Sequence, residues 1–240
     1  LLHRVDAAIQ SQADRTVVFS HYSKSVLSNW FGVPKERYEV VYIGVEEQKF
    51  GDTDPGRSPD VDVIYWGNFI PHHGVETMVD AAASLPEYDF VFAGLSEQRS
   101  PIIDRADRRG VDNVRFPGFL SNAELEAHIR AANVVLGPLG DYTQTRMNIG
   151  TKVAEAAYLG KAITLGNHPA PNEVFDHRES AFLVEPEDDA ALVDGIEAVL
   201  TEADLQARLE RESKEVCAVH FLPEQVAAQF LDAASATRAA

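Results

Sequence analysis

The chain has 240 residues, 45% hydrophobic and 25% charged, with 15 Gly and 12 Pro, which excludes disordered, collagenous and low-complexity classes. Its single cysteine, Cys217, excludes an intrachain disulfide and any Cys-based metal cluster. The net charge of -17, from 38 acidic and 21 basic residues, repels phosphate backbones and anionic lipid, so generic nucleic-acid or membrane-surface binding is not expected.

No uninterrupted apolar run approaches the ~18 residues of a spanning helix. No charged-then-apolar segment opens the chain, and a cytoplasmic location is expected. Leu2, Val5 and Ile9, with alanines between them, predict an amphipathic helix over 1–12. A short strand, Thr16–Phe19, precedes Ser20, an N-cap for a helix over 22–31 that Gly32 and Pro34 close. Glu39–Ile43 reads as a second strand. The stretch 46–60, with Gly51, Pro55, Gly56 and Pro59, reads as a linker.

Beyond it strand and helix alternate. Strands are expected at Val61–Trp66, Tyr88–Ala93, Asn113–Phe116, Asn133–Leu136, Ala162–Leu165 and Ala181–Val184. Helices are expected over 74–85, 101–109, 121–131, 150–159, 171–175, 188–200, 202–214 and 223–236. This alternation implies right-handed βαβ crossovers and a doubly wound parallel sheet of α/β class. Ligands of such sheets bind beyond the carboxyl ends of the strands, which narrows the search to the loops that follow them.

Five loops qualify. Gly67-Asn68-Phe69-Ile70-Pro71-His72-His73-Gly74 follows a strand and opens a helix, where Gly67 lets a ligand approach the backbone and Asn68 and His73 could hydrogen-bond a phosphate. It lacks the G-x-G-x-x-G dinucleotide pattern, and a plain βα turn is the competing reading. Gly94 and Gly118 end the next two strands, and three such glycines on one edge describe a cleft floor. The fourth, Arg146 through Glu155, contains Gly150 and Thr151, which open the helix expected over 150–159. The amides there and the helix dipole form an anion site. Glu155 follows on the face turned toward the sheet, where a buried carboxylate needs donors such as the two hydroxyls of a ribose. A first-turn charge beside Lys152 is the plainer alternative. The fifth loop, Gly166–Glu173, could contact a sugar or simply shape a turn with its prolines. No G-x-S-x-G, Walker loop or HExxH occurs, and adjacent His72 and His73 are poorly spaced for a metal.

Taken in order, these segments resemble the C-terminal half of GT-B glycosyltransferases of the large retaining family four. Ala13–Ser20 and Val41–Glu46 resemble the end of that family's acceptor domain and the crossing into its donor domain. Gly67 through His73-Gly74 resembles its phosphate loop, Asn113–Gly118 and Ala131–Pro138 its next strands, and Ala181–Pro186 its closing segment. Met147-Asn-Ile-Gly-Thr-Lys-Val-Ala-Glu155 falls on its E-x7-E helix start.

The resemblance implies a Rossmann-like donor domain over 61–222, a remnant of the acceptor domain over 1–45 and a closing helix over 223–240. It implies a nucleotide-diphosphate sugar as ligand, with no metal or cofactor. Glu155 would hold the ribose, the amides of Ile149, Gly150 and Thr151 the diphosphate, and Gly94 with the Phe119–Leu120 backbone the base. The reaction would be glycosyl transfer with retention to an acceptor hydroxyl. The acceptor, and any peripheral membrane contact, would belong to the missing domain. Three positions depart from the pattern. Asn68 and His73 stand where the family has Arg and Lys, and Met147 stands at the first Glu of E-x7-E, with Lys152 and Arg146 close by in sequence. Those departures keep open a degenerate module that binds a nucleotide or partner without turnover. An epimerase of the same architecture is a third reading, for which no acid/base pair is evident.

Overall fold

The computed structural model describes residues 2–51, 59–95 and 99–236. A small unit comes first: α1 (Leu2–Gln12), β1 (Thr16–Val18), α2 (His21–Phe31) and β2 (Tyr38–Val40), with β1 and β2 parallel. Ser20 caps α2 in a reciprocal box with Ser23, and Gly32, at φ 65, ends it in the left-handed conformation.

The larger unit continues with β3 (Val63–Trp66), α3 (Val75–Ala83), β4 (Phe90–Ala93), α4 (Arg99–Arg109), β5 (Val114–Gly118) and α5 (Asn122–Ala131). Then come β6 (Val134–Leu136), α6 (Thr143–Met147), α7 (Thr151–Tyr158), β7 (Ala162–Gly166), β8 (Phe182–Val184), α8 (Asp189–Thr201), α9 (Ala203–His220) and α10 (Pro223–Ala236). Its six strands form one parallel sheet in the order β5-β4-β3-β6-β7-β8. The chain enters at the centre, winds out to β5, returns, and winds the other way to β8. Winding therefore reverses between β3 and β6, and a crevice opens at their carboxyl ends.

The strand sequences explain the order. Every residue of β3, β4, β6 and β7 is buried, as expected where helices cover both faces. In β5 exposed and half-exposed residues alternate, which suits an edge. Successive strand residues feed two cores. Val63, Tyr65, Phe90 and Phe92 pack with Met78, Leu192 and Ile196 on one face. Ile64, Trp66, Val91 and Val135 pack with Ile129, Val153 and Phe221 on the other.

Four expectations shift. The strand expected at Glu39–Ile43 is Tyr38–Val40, because its single neighbour β1 offers only three paired residues. The helix expected over 171–175 is one 3-10 turn, Pro171–Glu173. Pro171 opens the turn, and Val174, at φ -133 and ψ -19, leaves the helical region and ends it. The short α6 carries no apolar periodicity and was not anticipated, and α9 runs on to His220. Of the linker expected over 46–60, residues 52–58 lie outside the described residues. Its first part is not free chain: Glu47–Lys49 is a 3-10 turn, and Phe50 is buried against Tyr158 of α7.

Candidate donor site

The site gathers at the carboxyl ends of β3, β4 and β5 and the start of α7. Gly67 extends β3 by donating its amide to Ala93 O at 2.9 Å, and Gly94 extends β4 by donating to Gly118 O at 2.7 Å. Gly94 has φ +138, and a Cβ on it would lie 2.0 Å from the Gly67 carbonyl oxygen. Only glycine permits that approach of two backbones. Beside them a cleft of about 260 Å³ is lined by Lys49, Trp66, Gly67, Asn68, Gly94, Phe119 and Leu120 among others. Phe119 is 74% exposed at its mouth, a costly position for a ring with nothing against it.

The other half of the site is polar and buried. Gly150 precedes α7 with φ 86 and ψ 141 and brings no side-chain cap. The amides of Thr151 and Lys152 therefore open the helix without intrahelical acceptors, with the positive end of its dipole behind them. Ile149 anchors the approach, its side chain 2% exposed in the core. Lys152, 8% exposed, belongs to the helix on one face of the sheet, yet its Nζ stands 4.1 Å from the centre of the Tyr65 ring, which faces the other core. The ammonium passes over Gly67, where a Cβ would be 3.0 Å from it.

His73 reaches this point from the loop after β3. Its Nδ1 lies 2.7 Å from Tyr65 Oη, 2.7 Å from Asn68 O and 3.3 Å from Lys152 Nζ. Burial, reinforced by the Lys152 charge, pushes the His73 imidazole down to about 3, so it is neutral and adds no cation. Asn68 enters the cluster through its carbonyl oxygen, to which Tyr65 Oη donates at 2.6 Å. The first loop thus supplies neutral groups, and the basic group beside them, Lys152, comes from α7.

Glu155 is buried on the sheet-facing side of α7, as its position predicts. Its donors are protein groups: Lys49 Nζ at 2.6 Å on Oε1 and Trp66 Nε1 at 3.1 Å on Oε2. A carboxylate has about four lone-pair positions, so two remain for a further donor pair. Sequence reasoning missed Lys49, Trp66 and Tyr65. The available signal was the scarcity of lysine, six in the chain, with Lys49 beside the apolar Phe50 inside a supposed linker.

The fifth loop contributes differently. Glu173 accepts from the amides of His21 and Tyr22 at 2.8 and 2.7 Å and from Tyr42 Oη at 3.1 Å. It caps α2 and ties the small unit to the sheet. Ser20 Oγ donates to Met147 O at 2.7 Å beside it. Arg146 pairs with Asp141 at 2.7 Å. Among the described residues no group of three metal-ligating side chains occurs, and no helix is long and apolar enough to cross a membrane.

A doubly wound sheet with glycine turns and an open helix start gathered at one edge is the C-terminal domain fold of GT-B glycosyltransferases. Residues 53–216 match the family model for glycosyl transferases group 1, and the chain belongs to that family. It is 26% identical over 183 residues to the 2-deoxystreptamine N-acetyl-D-glucosaminyltransferase of Niallia circulans, which covers 74% of this chain and 46% of that protein. Among solved structures it is similar to sucrose-phosphate synthase from Thermosynechococcus elongatus, with TM-score 0.82, 22% identity, and 96% of this chain matched to 60% of that one. It is equally similar to Anabaena Alr3699/HepE in complex with UDP and glucose, with TM-score 0.83, 19% identity, and 97% of this chain matched to 66% of that one. The chain thus spans about half the length of the curated relative and under two thirds of the synthase.

Proposed function

We propose that this chain is the donor-binding half of a retaining glycosyltransferase, which moves a sugar from a nucleoside diphosphate sugar to an acceptor hydroxyl. The observation that carries the reading is the junction of two anion-binding devices, the uncapped start of α7 and the buried Lys152 ammonium, within reach of the apolar cleft at Gly94 and Phe119. Diphosphate, ribose and base would then lie along one ridge. The amides from Ile149 to Lys152 hold the diphosphate, Glu155 takes the ribose hydroxyls, and Phe119–Leu120 with Gly94 bracket the base. In this reading residues 1–45 end the acceptor domain, 46–60 join the domains, 61–222 bind the donor and 223–240 pack back as the closing helix. The UDP found in the HepE structure supports a nucleotide of this kind.

Charge developing on the departing diphosphate is stabilised best by groups already fixed in place, which describes Lys152 and the α7 amides. Acceptor recognition and completion of the active site belong to residues outside this chain, so the chain alone binds donor and transfers poorly. Calorimetric titration with UDP, GDP, ADP and CMP tests the reading. One nucleotide binds selectively, raises stability by RT ln(1 + [L]/Kd), and loses affinity in Glu155→Gln. Absence of binding at millimolar nucleotide overturns it.

A second reading, binding without turnover, draws on Met147, which puts a thioether where a carboxylate stands in related sequences. Hydrolysis or transfer of the nucleotide sugar by the complete polypeptide separates the two.

A further inference from the structure

Lys152 is buried without the partners a charge requires. Among the described residues its ammonium has one hydrogen-bond partner, His73 Nδ1 at 3.3 Å, and it lies over the Tyr65 ring at 4.1 Å. An ammonium carries three donors, so two of them have no protein acceptor among the described residues. Losing the proton relieves that mismatch, and burial accordingly lowers Lys152 to about 7, against a smaller upward pull from Glu155.

The groups that face it cannot take over its titration. From the loop after β3, burial and the Lys152 charge lower both His73 and His72, which favours their neutral forms. From β3, burial raises the Tyr65 phenol, which stays protonated. Glu155, on the same helix, has its carboxylate engaged by Lys49 and Trp66.

Resting on the donor-site reading above, we infer that binding of a nucleoside diphosphate is coupled to proton uptake at Lys152. In the empty site above neutral pH the amine is neutral. The diphosphate supplies the acceptors and the countercharge that the ammonium lacks, a proton moves from solvent to Nζ, and no bond of the nucleotide changes. The chain carries a net charge of -17, so a site that becomes cationic as its anion arrives avoids holding an uncompensated buried charge in between. Affinity then falls as pH rises above 7, although the nucleotide itself is fully ionised there.

The test is titration calorimetry at pH 8 in two buffers of different ionisation enthalpy, HEPES and Tris. UDP, GDP and ADP are screened first and the tightest is carried forward. The expected result is uptake of between about half and one proton per nucleotide, and up to about tenfold weaker binding per pH unit from 7 to 9. Lys152→Arg, charged throughout, retains binding and loses the proton uptake. Lys152→Met, of similar length and without charge, loses at least about thirtyfold in affinity while remaining folded by hydrogen exchange. Equal heats in both buffers, or Lys152→Met binding like the parent protein at pH 7, overturn the inference and leave the donor site standing. Failure of all three nucleotides to bind overturns both.

Discussion

The two ends of the cleft are built on opposite principles. At the β4–β5 end the working parts are backbone and apolar surface: Gly94 pressed against Gly67, with Phe119 standing out beside them. At the β3–α7 end they are charged and polar side chains drawn from three separate segments, Lys49, Tyr65–His73 and Lys152–Glu155. A flat base needs a close backbone and an apolar wall, which a local turn can supply. A diphosphate needs several donors converging from different directions, and no single segment can supply those. The first end should therefore fail through sterics and the second through unpaired charge.

Gly94→Ala is the harshest test of the backbone end. The added Cβ meets the Gly67 carbonyl at 2.0 Å in a conformation foreign to L residues, so a loss of about 4 kcal/mol or more is expected from urea denaturation. A loss below about 1 kcal/mol would mean that the two turns are not in contact. At the charged end, Glu155→Ala strands the Lys49 ammonium and the Trp66 indole N–H. Breaking a largely buried pair predicts about 3 kcal/mol of destabilisation along with loss of nucleotide binding. Glu155→Gln, which keeps the volume, recovers part of the stability but not the affinity.

Gly150→Ala separates strain from clash. With φ +86 and nothing within 4 Å of the added Cβ, it should cost about 1–3 kcal/mol, less than Gly94→Ala. Stability against pH sharpens the charged end further. Lys152 titrates lower in the folded chain than in the unfolded one, so the unfolded chain binds more protons between about pH 7 and 10. Stability without ligand therefore rises with pH across that window, by at most about 1.4 kcal/mol per pH unit. Lys152→Met removes this slope, and denaturation of both proteins at pH 7 and 9 measures it. Phe119→Ala has the smallest effect on the fold, within about 0.5 kcal/mol because the ring is exposed. It should still weaken nucleotide binding five- to tenfold if a base stacks there. Unchanged affinity would move the base elsewhere.

Much of the backbone end was legible in the chain. Gly67 and Gly94 each follow a run of apolar residues and Gly118 follows Val114-Arg-Phe-Pro117, and a glycine at a strand end announces a turn or a close approach whatever the remaining fold. The start of α7 was equally visible, because Gly150 before a regular apolar pattern marks a helix start. Direction and partnership were not. Glu155 could be placed on the inner face of its helix, but nothing local says that Lys49, 106 residues earlier, would meet it. His73 could be picked out as a polar residue in a phosphate-type loop. That its ring turns inward to Tyr65, beside a lysine 79 residues later, depends on the packing of α7 against β3. The loop Gly166–Glu173 was expected to contact a sugar or shape a turn, and nothing local says that its Glu173 caps α2 from across the molecule.

The sequence by itself determined the alternation of strands and helices, the edge of the sheet on which the candidate site gathers, and the glycine turns that floor the cleft. Those features follow from hydrophobic period and backbone freedom, which are local properties of a few consecutive residues. Only the tertiary structure decided which charges are paired, which cation stands at the helix start, and how far Lys152 is buried. Burial and Coulomb energy depend on distances between atoms remote in the chain, and those distances exist only after the sheet has assembled.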